Sequence, residues 1–355
     1  MTETTQSTGR MRLNLMKKFI IDVLNGASLG IVITLIPSAL LSQILLLFPG
    51  NGIASQLGFM MTLIQSTLPL VAGFAIGYMM KLSMIDAGSI ALAMFVSAGV
   101  VTQTPKGMLI AGTGVILNVI LVAIIATALV KLTENVFGHL KMLIQPLVVI
   151  SIAGGLGTLT LAPMQTVQVL IGQGVEHATT LTPLLMGAVL AVIFAFLVVS
   201  PLSSVGIAMA ISLAGIGAGA ANAGIVVASF TLAAMGASVN PLGGTLAHFI
   251  GSPKIQMANM LTRPKLFIPT SIGAAIMGVI STSLNMKGTP FSAGFGFSGL
   301  IGPLTAFNLS DKQLGAIISV LLVYVILPVI LALSLKWLFM NKLNLIKSEE
   351  LKLAL

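Results

Sequence analysis

The chain has no cysteine and very little charge. Without a thiol among its 355 residues, disulfides, thiolate metal sites and any phosphocysteine relay on this chain are excluded. Charged residues are 7% and hydrophobic ones 57%, with a mean hydropathy of +1.10, against about 25% charged in ordinary soluble domains. The shortage is uneven. Between Met142 and Pro253 the single formally charged side chain is Glu176, and no Asp or Glu lies between residues 177 and 310. A soluble surface needs charge to stay in water, so a stretch this long requires lipid as its solvent. His139, His177 and His248 are far apart and lack metal-ligand spacing, so neither a metal nor another cofactor is expected.

What remains is apolar length. A spanning helix needs about 20 apolar residues, which leaves room for roughly ten and predicts an all-α membrane protein. The net charge of +9 is carried in short interhelical segments and at the two ends, a positive-inside pattern rather than a nucleic-acid surface. Arg10, Arg12, Lys17 and Lys18 precede the first span, and Lys336, Lys342, Lys347 and Lys352 follow the last. Both ends are therefore expected in the cytoplasm, which requires an even number of crossings. Met1 to Gly9 is polar and leads to no short apolar core with a cleavage site, so no secretory signal is expected.

Along the chain, Leu13, Met16, Ile20, Val23 and Leu24 fall on one helical face and Lys17, Lys18 and Asp22 on another, predicting an interfacial helix over residues 12–25. Apolar runs follow at 27–48, 56–80 and 87–101, then a polar break over Thr102–Gly107 and a run at 108–130. Lys131 to Lys141 reads as an amphipathic cytoplasmic linker, and the main boundary is placed there. The second half opens with runs at 143–171 and 181–200, separated by Glu176-His177 in an expected external loop. Gly- and Ala-rich pieces at 203–219 and 222–235 are marginal as independent spans. Full spans are expected at 266–284 and 313–340. A weak echo links Pro69–Gly73 with Pro183–Gly187 and Ile90–Met94 with Ile207–Ala210; duplicated halves and chance matching of apolar sequence both account for it.

Two segments break the apolar pattern where chemistry is most at home: 236–262 and 288–308. Broken backbone at membrane depth is tolerated where it is buried in protein or lines a cavity. In the first, Asn240-Pro241 favours a turn, and Gly243-Gly244 supplies backbone that bends and exposes its amides. Ser238, Asn240, Pro241, Gly243, Gly244, Thr245 and His248 are candidate substrate ligands. A Gly-rich, proline-kinked helix crossing used for packing explains the same residues. His248 fits a substrate contact or a neutral imidazole bonded to a carbonyl equally well. Gln256 and Asn259, three apart on one helix face, are candidates for an inward vestibule, while Lys254, Arg263 and Lys265 mark a cytoplasmic approach. In the second segment Phe291, Phe295, Phe297 and Ser298 stand among glycines, a composition suited to sugar rings or to lipid and helix packing. Gln103 and Thr104 are candidates for the same cavity, with Lys106 at a surface.

The run Gly251-Ser-Pro-Lys-Ile-Gln-Met-Ala-Asn-Met-Leu-Thr-Arg-Pro264, with Ile268-Pro269 and Gly294-Phe-Gly-Phe-Ser-Gly-Leu-Ile-Gly302, resembles the stand-alone phosphotransferase-system enzyme IIC proteins, in particular a toxin-regulator branch of the perfringolysin-regulator type. The resemblance covers residues 15–340. It implies a homodimeric permease of about ten spans with two re-entrant hairpins, working as a glucose-superfamily elevator. Residues 1–141 would be scaffold and 142–355 the transport domain, moving a sugar or similar polar metabolite, with separate IIA and IIB subunits as possible partners. One departure matters. Sugar-phosphorylating members carry a glutamate in the hairpin that matches Val239-Asn240-Pro241, and this chain has none there. A carboxylate would handle the sugar hydroxyl proton in phosphoryl transfer, so uncoupled transport, transport of an anionic metabolite, and a non-transporting membrane sensor all stay open.

Overall fold

A computed structural model describes residues 2–45, 48, 50–105, 107–290, 292–311 and 313–354. Lys106 and Phe291, and the side chains of Arg10, Arg12 and Leu13, lie outside what is described. The chain divides into two compact units, one of residues 1–30 and 66–161, the other of 31–65 and 162–355.

The first unit takes the start of helix α1 (Thr2–Leu45), whose remainder, with α2 (Gly52–Ser66), falls mainly in the second unit. Helix α1 is continuous. The expected interfacial helix and the first span are one element, because no Pro interrupts residues 12–30. Helices α3 (Leu68–Met79) and α4 (Met84–Ser97) pack by small residues. A Cβ on Gly26 or Gly30 would run into the backbone of Ile76 or Ala72, and one on Gly73 or Gly77 into Ala91 or Ala87. Pairs of glycines four residues apart let backbones approach closely where lipid supplies no hydrophobic drive.

The polar break is not a disrupted helix. Strands β1 (Val101–Thr104) and β2 (Gly107–Ile110) form an antiparallel hairpin with Gln103 opposite Met108, and β2 is exposed throughout. The next span therefore begins late, at α5 (Ile116–Thr133). Asn118 on α5 is wholly buried; its amide donates to Ser97 O at 2.8 Å and Gly157 O at 2.9 Å, and its oxygen accepts from Thr160 at 2.7 Å. That network holds the first turns of the following helix in this unit. Packing accordingly divides the chain at 161, whereas composition puts the boundary at 141. Helix α6 (Lys141–Val149) passes through a π-helical turn at Ile150–Gly154 into α7 (Gly155–His177), so Glu176-His177 closes a helix instead of standing in a loop. Lys141 at the start of α6 pairs with Asp86 at 2.8 Å.

The second unit is built on α8 (Pro183–Val198), the short α9 (Ser204–Ala210) and α10 (Gly215–Gly236). The Gly- and Ala-rich stretch that reads as weak pieces is one 22-residue helix across Asn222, buried over nearly its whole surface. A helix buried on all sides has no polar face to advertise it. Short helices α11 (Leu242–Leu246) and α12 (Met257–Thr262) follow, then α13 (Phe267–Ser283), the short α14 (Ile301–Asn308), α15 (Leu314–Leu321) and α16 (Leu327–Lys336). Helices α8, α10 and α13 cross where Gly187 meets Gly278 and Gly224 meets Ala191. Among the described residues six helices are long and apolar enough to cross a bilayer, or seven if the bent pair α2–α3 is one span. Further crossings toward the expected ten would come from shorter apolar helices such as α4 and α8.

Candidate functional site

Both segments singled out for broken backbone are bent. The first leaves α10, turns at Asn240-Pro241, makes the five residues of α11, loosens into a π-helical turn at Ala247–Gly251, extends at Ser252 and re-forms as α12. The second pairs Gly288 with Gly215 in an isolated bridge, then makes tight turns at Ser292–Gly294 and Ser298–Leu300 before α14. Gly296 sits at φ 60°, and a Cβ there would strike Ile225, so glycine is required twice over. Its N–H donates to the oxygen of the fully buried Asn222 at 3.0 Å. Ser204 donates to Gly294 O at 2.8 Å.

The two bends meet through aromatic rings. Phe249 of the first stacks on Phe230 of α10 with centroids 4.6 Å apart, and Phe297 of the second stands edge-on to both at 5.5 and 6.2 Å. Such edge-to-face contacts fix orientation beyond simple burial. Of the phenylalanines expected beside the site, Phe297 joins this cluster and Phe295 lies half-buried in the adjoining turn; Ser298 is buried next to it.

The polar residues of the first bend form a directional chain. Nδ1 of His248 faces two carbonyls, Gly244 O at 2.8 Å and Thr245 O at 3.1 Å, so Nδ1 carries the proton. Nε2 then accepts from the Gln256 amide at 3.0 Å. Gln256 Oε1 accepts from Asn259 at 2.7 Å, and Asn259 Oδ1 accepts from Arg263 at 2.7 Å. Both ring nitrogens of the buried imidazole are thus committed to protein.

The remaining amide protons turn to the chain's own C-terminal segment. Leu351 O accepts from Asn240 at 2.9 Å and Gln256 at 2.8 Å, Lys352 O from Asn259 at 3.0 Å, and Asn240 Oδ1 receives Leu353 N–H at 2.8 Å. Lys265 donates to Leu345 O at 2.8 Å and pairs with Glu350 at 2.8 Å. Ile346 and Leu351 are buried beneath these bonds. Partial burial raises the Glu350 carboxyl, but the Lys265 hydrogen bond and the charges of Lys265 and Arg263 outweigh it and hold the group below its ordinary value. Residues 345–353 are a strap over the first bend, a role that composition did not point to.

The structure brings together Asn240, Gly244, Thr245, His248, Gln256 and Asn259 in this way, while Ser238, Pro241 and Gly243 stay exposed at the turn. Gln103 and Thr104 lie on the β-hairpin of the first unit, Gln103 exposed and Thr104 bonded to Gly107 O at 2.7 Å. Lys254, expected at a cytoplasmic approach, is held inside the protein. It is buried, and its ammonium donates to Ser200 O and Leu202 O just beyond α8, where helix-end carbonyls welcome a cation. Asn222, Ser204, Phe230 and Phe249 escaped the sequence reading, although a lone Asn inside an Ala/Gly run was a usable signal.

No curated protein matches the chain. The family model described as "Phosphotransferase system, EIIC" matches residues 21–353, which takes in both units and both bends. The chain therefore belongs to the phosphotransferase-system EIIC family, the membrane sugar permeases of that system.

Proposed function

We propose that this permease carries a sugar, or a metabolite equally small, polar and neutral, in a site walled by the bends at 236–262 and 288–308, and that transport is not coupled to phosphorylation. The observation that carries the reading is the lack of carboxylates in the wall, whose one buried cation, Lys254, is taken up by backbone carbonyls. The polar groups placed around the bends are backbone amides and carbonyls, Asn222, Asn240, Thr245, His248, Gln256, Asn259 and Ser298, and no carboxylate occurs between residues 177 and 310. Hydroxyl-bearing solutes match such groups without a counter-charge. The Phe230–Phe249–Phe297 cluster adds an apolar face of the kind a sugar ring covers. The second unit, with its bent elements, acts as the moving body of an elevator and the first as the scaffold of a homodimer, the two termini facing the cytoplasm. An anionic metabolite is favoured less. The buried cation of the first bend, Lys254, is already held by two carbonyls.

Proteoliposome uptake of neutral sugars against small carboxylates, with and without a phosphorylated carrier, tests this. The expected outcome is sugar uptake with no phosphorylated product. Uptake confined to carboxylates, or sugar entry only as a phosphate, rejects the reading. Failure with every solute, together with altered transcription on deletion, leaves a membrane sensor instead. His248→Ala is expected to change affinity at least severalfold by freeing Gln256 and the 244–245 carbonyls that the imidazole now engages; unchanged affinity and rate make His248 a packing residue.

A further inference from the structure

Within the first unit a cavity of about 470 Å³ opens between the start of α1, the end of α3 and the last turn of α5. Three of its lining side chains are lysines from three separate elements: Lys18, Lys81 and Lys131. One carboxylate, Asp22, lies among them, and no lysine of the three comes within ion-pair distance of it or of any other described carboxylate. The cavity therefore holds an uncompensated excess of two positive charges. Like charges gathered at one concave surface repel unless an anion joins them.

Lys81 sharpens the point. It follows α3 at φ 55°, the left-handed position where a helix usually ends on glycine, with Leu82 N–H returning to Gly77 O at 2.9 Å. A long side chain is kept where a bare backbone would be easier to place, and it is directed to the cavity rim. The rest of the lining is apolar. Leu15 is 63% exposed, and Phe19 lies beneath the Lys131 ammonium at 5.7 Å from its ring centre. Neighbouring Met16 and Tyr78 are exposed at 62% and 78%. Concentrated positive charge beside bare hydrocarbon matches a ligand that has an anionic head and acyl chains. Lys18 and Lys131 also belong to the two segments whose charge bias places them on the cytoplasmic side, where anionic lipids attract basic residues.

We infer that this cavity binds a phosphate-bearing anion, the headgroup of an anionic phospholipid. Every lining residue belongs to the first unit, so the inference stands apart from the substrate reading. The test uses the full-length protein in detergent, titrated with dioleoylphosphatidylglycerol, dioleoylphosphatidylcholine or inorganic phosphate, and lipid binding counted by native mass spectrometry. Phosphatidylglycerol is expected to bind preferentially, and K18Q, K81Q and K131Q each to weaken it roughly fivefold, with K17Q on the same helix as the silent control. If inorganic phosphate competes at equal concentration the site stands and its source is a soluble phosphate. Equal binding of both lipids, unchanged binding by the three variants, or a preference that survives in 0.5 M salt overturns it. The salt series needs no variant, so a misfolded substitution cannot shield the inference.

Discussion

The two bends of the second unit solve the same problem by opposite means. Each must satisfy backbone and side-chain polar groups far from water, where an unmet group costs several kcal/mol. The second bend draws on segments that precede it: Asn222 reaches it from α10 and Ser204 from α9, while Gly296, Gly299 and Leu300 take left-handed backbone to make the turn. The first borrows. Asn240, Gln256 and Asn259 find their acceptors on a strap some 90 to 110 residues further along the chain. One bend is therefore held by its own glycines and by helices that precede it, and the other is only as firm as a segment that follows it.

The comparison can be broken most severely at Gly296. Gly296→Val puts a β-branched residue at φ 60° against Ile225, and the combined strain and overpacking are expected to cost about 4 kcal/mol or more. Thermal unfolding in detergent reads this directly, and an unaltered melting temperature denies the second bend its local lock. Deleting residues 346–355 removes buried Ile346 and Leu351, roughly 2 kcal/mol each, and every strap acceptor of Asn240, Gln256 and Asn259. Hydrogen exchange is expected to rise over 237–262 and stay unchanged over 288–308; equal loosening of both would erase the contrast.

Smaller changes sharpen it. Asn222→Leu leaves the Gly296 N–H without an acceptor and is expected to destabilise by about 2 kcal/mol, with exchange rising in the second bend alone. Gln256→Met strips a donor from His248 and an acceptor from Asn259, for about 1 to 2 kcal/mol confined to the first bend. The mildest is Glu350→Gln. Because the folded carboxyl titrates below its unfolded value, its contribution is present above the unfolded value and fades as pH falls through the folded one. The variant is expected to be slightly less stable than wild type at neutral pH, to lose the slope on the acid side of about pH 4.5, and to converge with wild type at low pH. A wild-type profile with no such slope removes the Lys265–Glu350 clasp from the account.

Much of this architecture was legible. Apolar runs and charge poverty identify a membrane protein because lipid leaves no alternative solvent, and Gly, Pro and Asn mark both bends because they alone relieve broken helix. Gln256 and Asn259 share a face through their spacing, and His248 joins them. Other parts were opaque for physical reasons. The strap engages Asn240 and Gln256 with main-chain carbonyls, which look the same in every residue. Helix α10 is rich in Gly and Ala, so its hydropathy is modest although its burial is nearly complete. The residues of β1 and β2 place Thr and Gln beside apolar side chains too briefly for a two-residue period to stand out.

The strap also sets an order of events. Translation runs from the N-terminus, and the carbonyl that satisfies Gln256 is made 95 residues after it. Until the ribosome has added that stretch, the amide cluster around His248 sits in the nascent protein without its strap carbonyls. Closing the first bend is thus a late step of biogenesis, and a prematurely terminated polypeptide would present quality-control proteases with an unfinished joint.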